Sequence, residues 1–462
     1  MNKYYDKLRP YQQEDVDNIL RLKRVGVFNQ QRTGKTPTSI VAMTAMAKKI
    51  VIVSPASMTS VWAYEVERWS DHKVHLMSSS LTKSKRLELI EQFSQQGGCF
   101  IISYDLYRAE TNQSELRRLI LKCKPDGFIA DEAHRAVGRK TKSFTSLKQS
   151  RGIEYLLLLS GTPAPNHPSQ VWSLLHALQP TKFTSYWRFV ETYFEVHDVP
   201  LPRHIRQRAG MSHIQEPSGF LPDKEQAYVQ VLDDNCIMRK RVDVMPWLPE
   251  QEEITIVPLE PTSAQTKSIK ELSTYFKVGD MRVEAILDQL TRMRQLCTVP
   301  STFIKTKNPK TIWLNQYIKD YEEKSIIIFS RFTTYLRELE SELKVECGLF
   351  VGGLSSVEKS NLINSFQSGK IRVLLIQIDA GKEGLTLDKA STLIFTDVFP
   401  PVGDIDQAKD RIIATSIEKV KPYNIIGLCL KNTYDQALYE SYYERKSLTD
   451  VANDYINYVR RS

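Results

Sequence analysis

Phe128-Ile129-Ala130-Asp131-Glu132-Ala133-His134 is the stretch on which the reading of the fold turns. A short apolar run ends in two adjacent carboxylates and a histidine. Such a run reads as a buried strand that delivers Asp131 and Glu132 to its carboxyl end. In open α/β sheets, ligands sit beyond the carboxyl ends of the strands. One carboxylate there can hold Mg2+, and its neighbour can orient or deprotonate a water. Taken alone, the same residues read equally as a strand followed by a solvated acidic turn. The rest of the chain has to decide.

Upstream, Val25-Gly26-Val27-Phe28 reads as a short strand that runs into Asn29-Gln30-Gln31-Arg32-Thr33-Gly34-Lys35-Thr36, with an apolar helix from Ser39 to Met46. Strand, loop, Gly-Lys-Thr and helix form a phosphate-cradle arrangement. Lys35 would reach the β- and γ-phosphates, Thr36 would bind Mg2+, and the helix N-terminus favours an anion. The strict pattern has glycine where this chain has Asn29. Further upstream, Leu8-Arg9-Pro10-Tyr11-Gln12 opens an amphipathic helix that runs from Tyr11 to Leu22. A Gln so placed can read an adenine edge by two hydrogen bonds. By itself Gln12 reads rather as a surface residue at a helix start.

More strands follow at Lys49–Ser54, Phe100–Asp105 and Tyr155–Ser160, with helical stretches between them, one of which carries Trp62 and Glu65. The second half repeats the rhythm, with strands at Ser325–Ser330, Val373–Gln377, Thr392–Thr396 and Tyr423–Leu428. Strands alternating with helices predict parallel, doubly wound sheets. The expected division is residues 1–250 and 251–462. Residues 180–224, rich in aromatics, Pro and His, have poor periodicity and read as an irregular excursion from the first lobe. Its Arg203, Arg206 and Arg208 would either contact phosphates or lie solvated.

A chain of 462 residues is too long for one ordinary core, which agrees with two domains. With 41% hydrophobic and 25% charged residues it has the composition of a globular protein. No apolar run reaches the length of a membrane span, and the N-terminus lacks a signal-peptide segment. Six cysteines without a C-x-x-C pair indicate neither a zinc site nor a disulfide framework, and a reducing cytosol is the simplest compartment. A net charge of +9 suits a polyanion such as nucleic acid, or equally a basic but otherwise ordinary surface.

The ordered motifs resemble those of one family. Leu8–Gln12, Thr33–Thr36, Asp131–His134, Ser160-Gly161-Thr162-Pro163 and Met238-Arg239-Lys240-Arg241 occur in turn. Arg292–Cys297, Ile328–Phe332, Gly381–Leu387 and Asp406–Arg411 follow. The set resembles the Swi/Snf-like branch of the superfamily-two helicases and translocases. The resemblance implies two RecA-like lobes, each a mainly parallel sheet flanked by helices: an ATP-binding lobe and a helicase C-terminal lobe. It implies ATP between them and DNA, double-stranded or branched, across both. By that resemblance Gln12 would contact adenine, Thr33, Gly34, Lys35 and Thr36 would hold the phosphates, and Thr36 and Asp131 would hold Mg2+. Glu132 would activate water, and Ser160 and Thr162 would link hydrolysis to lobe movement. Gly384, Gln407 and Arg411 would close the site from the second lobe, with Arg411 stabilising transition-state charge.

Two positions depart from the family pattern: Arg32 replaces a glycine, and Ala414 replaces a second arginine. Without that second arginine, hydrolysis would be slow, or Lys409 or Lys419 would substitute. With no histone-reading or zinc module, the chain resembles small phage or bacterial members, and DNA-annealing members that move forks and junctions, more than a nucleosome remodeller. The expected function is an ATP-dependent DNA translocase that remodels or branch-migrates forked DNA in the cytoplasm or at the nucleoid. The alternatives are a strand-separating DNA or RNA helicase and a nucleic-acid-binding scaffold with a weak ATP site.

Overall fold

The structure, a computed structural model, describes residues 3–108, 114–138, 141–165, 167–200, 213–248, 253–278, 281–283, 285–381, 387–399, 402–413, 420–444, 446, 451–452, 454–455 and 457–458. The chain divides into two compact units, Met1–Pro246 and Trp247–Ser462. No helix among the described residues is long and apolar enough to cross a membrane.

In the first unit, helix α1 (Pro10–Leu22) precedes strand β1 (Arg24–Val27), and helix α2 (Lys35–Met46) leads to β2 (Lys49–Ser54). Helix α3 (Thr59–Trp69) is followed by β3 (Val74–Leu76), β4 (Gly98–Ser103), β5 (Gly127–Ala130) and β6 (Tyr155–Leu159). With β9 (Cys236–Ile237) these strands form one sheet in the order β3-β4-β2-β5-β6-β1-β9. Every pairing in it is parallel. The apolar runs are unbroken because both faces are covered. Val51, Val53, Phe128, Ala130, Leu156 and Leu158 enter one core. Their neighbours Ile50, Ile52, Ile129, Leu157 and Leu159 enter the other. Successive side chains of a strand point to opposite faces, so a strand buried on both sides has no polar position to give.

Residues 180–224 hold more regular structure than their periodicity predicts. A helix at Tyr186–Tyr193 runs into β7 (Phe194–Pro200), which pairs antiparallel with β8 (His213–Phe220). Phe189, Tyr193, Phe194, Phe220 and Tyr228 pack as one aromatic cluster at its base. His167 Nε2 donates to Ser218 O, 2.6 Å away, and the ring sets its edge against Phe194. The anchor is a tertiary cluster, so no alternation along the strands announces it. Arg203, Arg206 and Arg208 lie outside the described residues.

The second unit holds β10 (Thr255–Leu259), β13 (Ile326–Ser330), β14 (Cys347–Phe350), β15 (Val373–Gln377), β16 (Thr392–Phe395) and β17 (Asn424–Leu430). Their order is β10-β17-β16-β13-β15-β14, again all parallel. A short pair, β11 (Lys277–Val278) and β12 (Met281–Arg282), lies apart from this sheet. Two cores again flank the large sheet, with Ile327 and Phe329 in one and Ile326 and Ile328 in the other.

Candidate nucleotide site

Parallel pairing decides where the polar ends of the first unit's strands lie. Because β5, β6 and β1 are adjacent, the residues after their carboxyl ends share one edge of the sheet. Those residues are Asp131-Glu132, Ser160-Gly161 and the loop Phe28–Gly34. At Gly161 an added Cβ would meet Gln31 Cγ at 2.9 Å, so the turn after β6 lies directly against the loop after β1.

The loop is held from several sides. Gly34 caps α2 in the left-handed region, φ 80°, and a Cβ there would meet Gln12 Nε2 at 2.1 Å. Arg32, where the family pattern has glycine, also takes a positive φ of 69°. The backbone thus keeps the shape that glycine would favour, at a conformational cost borne by the arginine. Lys35 Nζ donates to Asn29 O at 2.8 Å and to Gln30 O at 3.2 Å, which places the ammonium over its own loop. Thr36 is half-buried in the first turn of α2. Thr33 Oγ1 donates to Gln30 O, and Thr33 O accepts from Tyr11 Oη at 2.8 Å and Gln12 Nε2 at 3.2 Å. The other end of the Gln12 amide accepts from Arg9 N at 2.9 Å. Gln12 therefore ties α1 to the loop in this structure. Reading adenine with both amide groups would mean exchanging both bonds.

Asn29 has a structural task that the sequence alone did not suggest. Its Nδ2 donates to Asp15 Oδ2 at 2.7 Å, while Arg239 Nε donates to Asp15 Oδ1 at 2.9 Å and Arg239 Nη2 to Glu14 Oε2. Burial raises the Asp15 pKa, and the bonds from Arg239 and Asn29 oppose that shift. Gln30 N donates to Arg239 O, and Arg241 N donates to Gln30 Oε1. The Met238–Arg241 motif thus buttresses the loop after β1. The available signal was a charged Asp15 among the buried positions Gln12, Val16 and Ile19 of α1.

Beside the loop, the carboxylate of Asp131 is nearly buried. Trp62 Nε1 donates to Oδ2 at 2.8 Å, Glu132 N donates to Oδ1 at 3.0 Å, and Tyr104 Oη donates to the main-chain oxygen at 2.8 Å. Burial, reinforced by the Glu132 charge, pushes its pKa up to about 6, against the pull of Trp62 and Lys35. Glu132 sits in the left-handed region, φ 48°, which turns the chain sharply after the strand. Its Oε2 lies 3.2 Å from His134 Nδ1, and the same nitrogen lies 3.1 Å from Ser160 Oγ. Ser160 Oγ also accepts from Thr162 N at 3.1 Å. Glu132 is thereby linked through His134 to Ser160 and Thr162.

In the second unit, Gln407 lies on the helix Val402–Lys409 and Arg411 on the turn Asp410–Ile412, both buried. Arg331 Nη2 donates to Asp404 Oδ2 on that helix at 2.8 Å and to Phe399 O at 3.0 Å. Asp397 accepts from Ser330 Oγ at 2.8 Å, from Arg331 N at 3.1 Å and from Arg294 Nη2 at 3.0 Å. This network joins the Arg292–Cys297 and Ile328–Phe332 motifs to the helix that carries Gln407. Gly384, Ala414 and Lys419 lie outside the described residues.

Comparison with known proteins gives this geometry a family. Residues 21–302 match the SNF2-related domain, and residues 309–414 match the helicase conserved C-terminal domain. The chain belongs to the SNF2-related family. It is 27% identical to the human DNA annealing helicase and endonuclease ZRANB3, over 94% of this chain and 39% of that protein. It is 25% identical to the Xenopus laevis SWI/SNF-related matrix-associated actin-dependent regulator of chromatin subfamily A-like protein 1, over 96% of this chain and 44% of that one. The chain spans about two-fifths of the length of these relatives. Among solved structures, the Pyrococcus furiosus Hef helicase domain aligns with a TM-score of 0.55 at 14% identity, covering 96% of this chain and 99% of that one. That likeness bears on the fold alone. The two parallel α/β units are RecA-like lobes of a Swi/Snf-like superfamily-two core.

Proposed function

We propose that this SNF2-related chain is an ATP-hydrolysing DNA translocase that remodels forked and junction DNA. The observation that carries the reading is the meeting of Lys35, Asp131, Glu132 and Ser160 at one edge of a parallel sheet, in a chain of this family. Residues 1–250 act as the ATP-binding lobe and 251–462 as the helicase C-terminal lobe. Lys35 leaves the loop carbonyls for the β- and γ-phosphates, which the amino end of α2 also attracts. Gly34 lets the backbone approach them, and Thr33 holds the loop in shape.

The residues present fit magnesium. Among the described residues no group of three or more His, Cys, Asp or Glu forms a metal cage. Magnesium bound with a nucleotide needs only one or two protein oxygens beside phosphate oxygens and waters. Asp131 and the Thr36 hydroxyl are the donors that would hold it. When bound, the ion would neutralise charge on the phosphate oxygens. Glu132 takes the proton of the attacking water, with His134 Nδ1 standing 3.2 Å from its carboxylate. We assign Gln407 and Arg411 of the second unit to the same reaction, with Arg411 stabilising developing negative charge.

The DNA substrate is supported by the +9 charge and by relatives whose names describe DNA annealing. Such a substrate would place the protein in the cytoplasm or at the nucleoid. The test is ATP turnover without DNA and with duplex, forked, junction and single-stranded DNA, with Lys35→Ala as control. Forks and junctions should stimulate most, and Lys35→Ala should abolish turnover. Turnover indifferent to every DNA would reject the translocase.

A further inference from the structure

We propose that Trp62 is the positioning residue of the magnesium carboxylate: its indole N–H orients Asp131 without neutralising it, an inference that rests on the nucleotide reading above. Trp62 is completely buried on α3, the helix that follows β2, and β2 is the sheet neighbour of β5, which delivers Asp131. A buried indole N–H needs an acceptor. Here the acceptor is Asp131 Oδ2 at 2.8 Å.

The choice of donor has a chemical consequence. A carboxylate offers about four lone-pair sites. Trp62 takes one on Oδ2, and Glu132 N takes one on Oδ1. Two donors on two different oxygens lock the plane of the group. Tyr104 Oη, on the main-chain oxygen, holds the backbone that carries it. Lysine or arginine in the place of Trp62 would orient the carboxylate equally well but would compete with the metal for its charge. The indole is neutral, so the full negative charge is left for the cation. Because Trp62 is buried, water cannot replace its N–H if the donor is removed. Partners that orient metal ligands in this way are typically worth about ten- to a hundredfold in metal affinity.

The competing view is that Trp62 only fills the core it shares with Val66, Ile52 and Ile129. Replacement by 3-benzothienylalanine separates the two, since sulfur takes the place of N–H in a ring of nearly the same shape. In the full chain loaded with ADP, Mn2+ affinity read by electron paramagnetic resonance should fall about tenfold or more with this analogue at position 62. ADP affinity in EDTA should change less than about twofold, because no phosphate contact is altered. Trp62→Phe should behave like the analogue. An independent readout keeps the native donor: 5-fluorotryptophan at position 62 should shift its 19F resonance when Mg2+ is added to the ADP-loaded protein, beyond the effect of ADP alone. Unchanged Mn2+ affinity in the analogue, or a 19F resonance that ignores Mg2+, would overturn the role of Trp62 and leave the nucleotide reading standing. A wild-type protein that binds no nucleotide would overturn both.

Discussion

At the scale of single residues, Asp131 and Glu132 are neighbours in sequence that are held in different ways. Asp131 is nearly enclosed and fixed by donors on both oxygens, while Glu132 is turned out of the strand by a positive φ. We expect Glu132→Gln to keep shape and nucleotide binding while turnover falls by orders of magnitude. Binding of a fluorescent nucleotide beside steady-state hydrolysis checks this, and turnover near wild type would reassign the base. For Asp131, the raised pKa sets a pH dependence. Its pKa stands at about 6 against an ordinary 3.8, so the protonated form is populated well above the usual carboxylate range. A metal must displace that proton. Metal affinity should therefore be full above pH 7 and decline as pH falls through 6. At pH 5.5 the Mg2+ concentration for half-maximal turnover should be roughly fourfold higher than at pH 7.5. Flat magnesium demand across that range would place the ion on other donors.

At the scale of elements, the second unit contains a buried ion pair that joins several of them. Lys310, on the helix Pro309–Asp320, is fully buried and donates to Thr298 Oγ1, to Thr396 O at 2.7 Å and to Asp435 Oδ2 at 2.8 Å. Asp435, on the helix Tyr434–Tyr443, also accepts from Leu430 N at the end of β17. The ion pair thus connects three helices, Ile286–Thr298 among them, and the ends of β16 and β17. Removing one partner leaves the other charge buried and unpaired. Lys310→Ala should destabilise the second unit by about 3–5 kcal/mol. The double variant Lys310→Met/Asp435→Leu should recover most of that loss, because its residues need no partner. Denaturant melts of both variants check this, and equal losses would show that the polar geometry itself is required.

At the scale of the whole molecule, the expected property is a grip on DNA that reads shape and charge. Contacts to phosphates position a protein without reporting base identity. They also release counterions, so affinity should fall steeply with salt. A motor that closes on ATP should hold DNA differently in its nucleotide states. Fluorescence anisotropy with duplexes of equal shape and different sequence should give nearly equal affinities. Those affinities should drop by orders of magnitude between low and moderate salt and change with ATP analogues. Affinity fixed by one short base sequence and indifferent to nucleotide would mark a site-specific binder.

Local features were legible before the structure. The strands are continuous apolar runs because both sheet faces are covered, and a run of that kind is visible residue by residue. The Asp131-Glu132 pair follows such a run directly and Lys35 follows one after a short loop, so their place beyond the carboxyl ends of parallel strands could be read from their order alone. The bonds that hold the site together could not. Trp62 and Asp131 are 69 residues apart, Lys310 and Asp435 are 125 apart, and Asp15 and Arg239 are 224 apart. A hydrogen bond between distant residues leaves no period in the sequence, because neither partner constrains its own neighbours along the chain. The same holds for the aromatic base of the β7–β8 hairpin, whose members meet only after folding. The sequence alone determined the two α/β lobes and the order of their motifs. Tertiary structure decided which buried donors orient the carboxylates, since that depends on strand adjacency in the folded sheet.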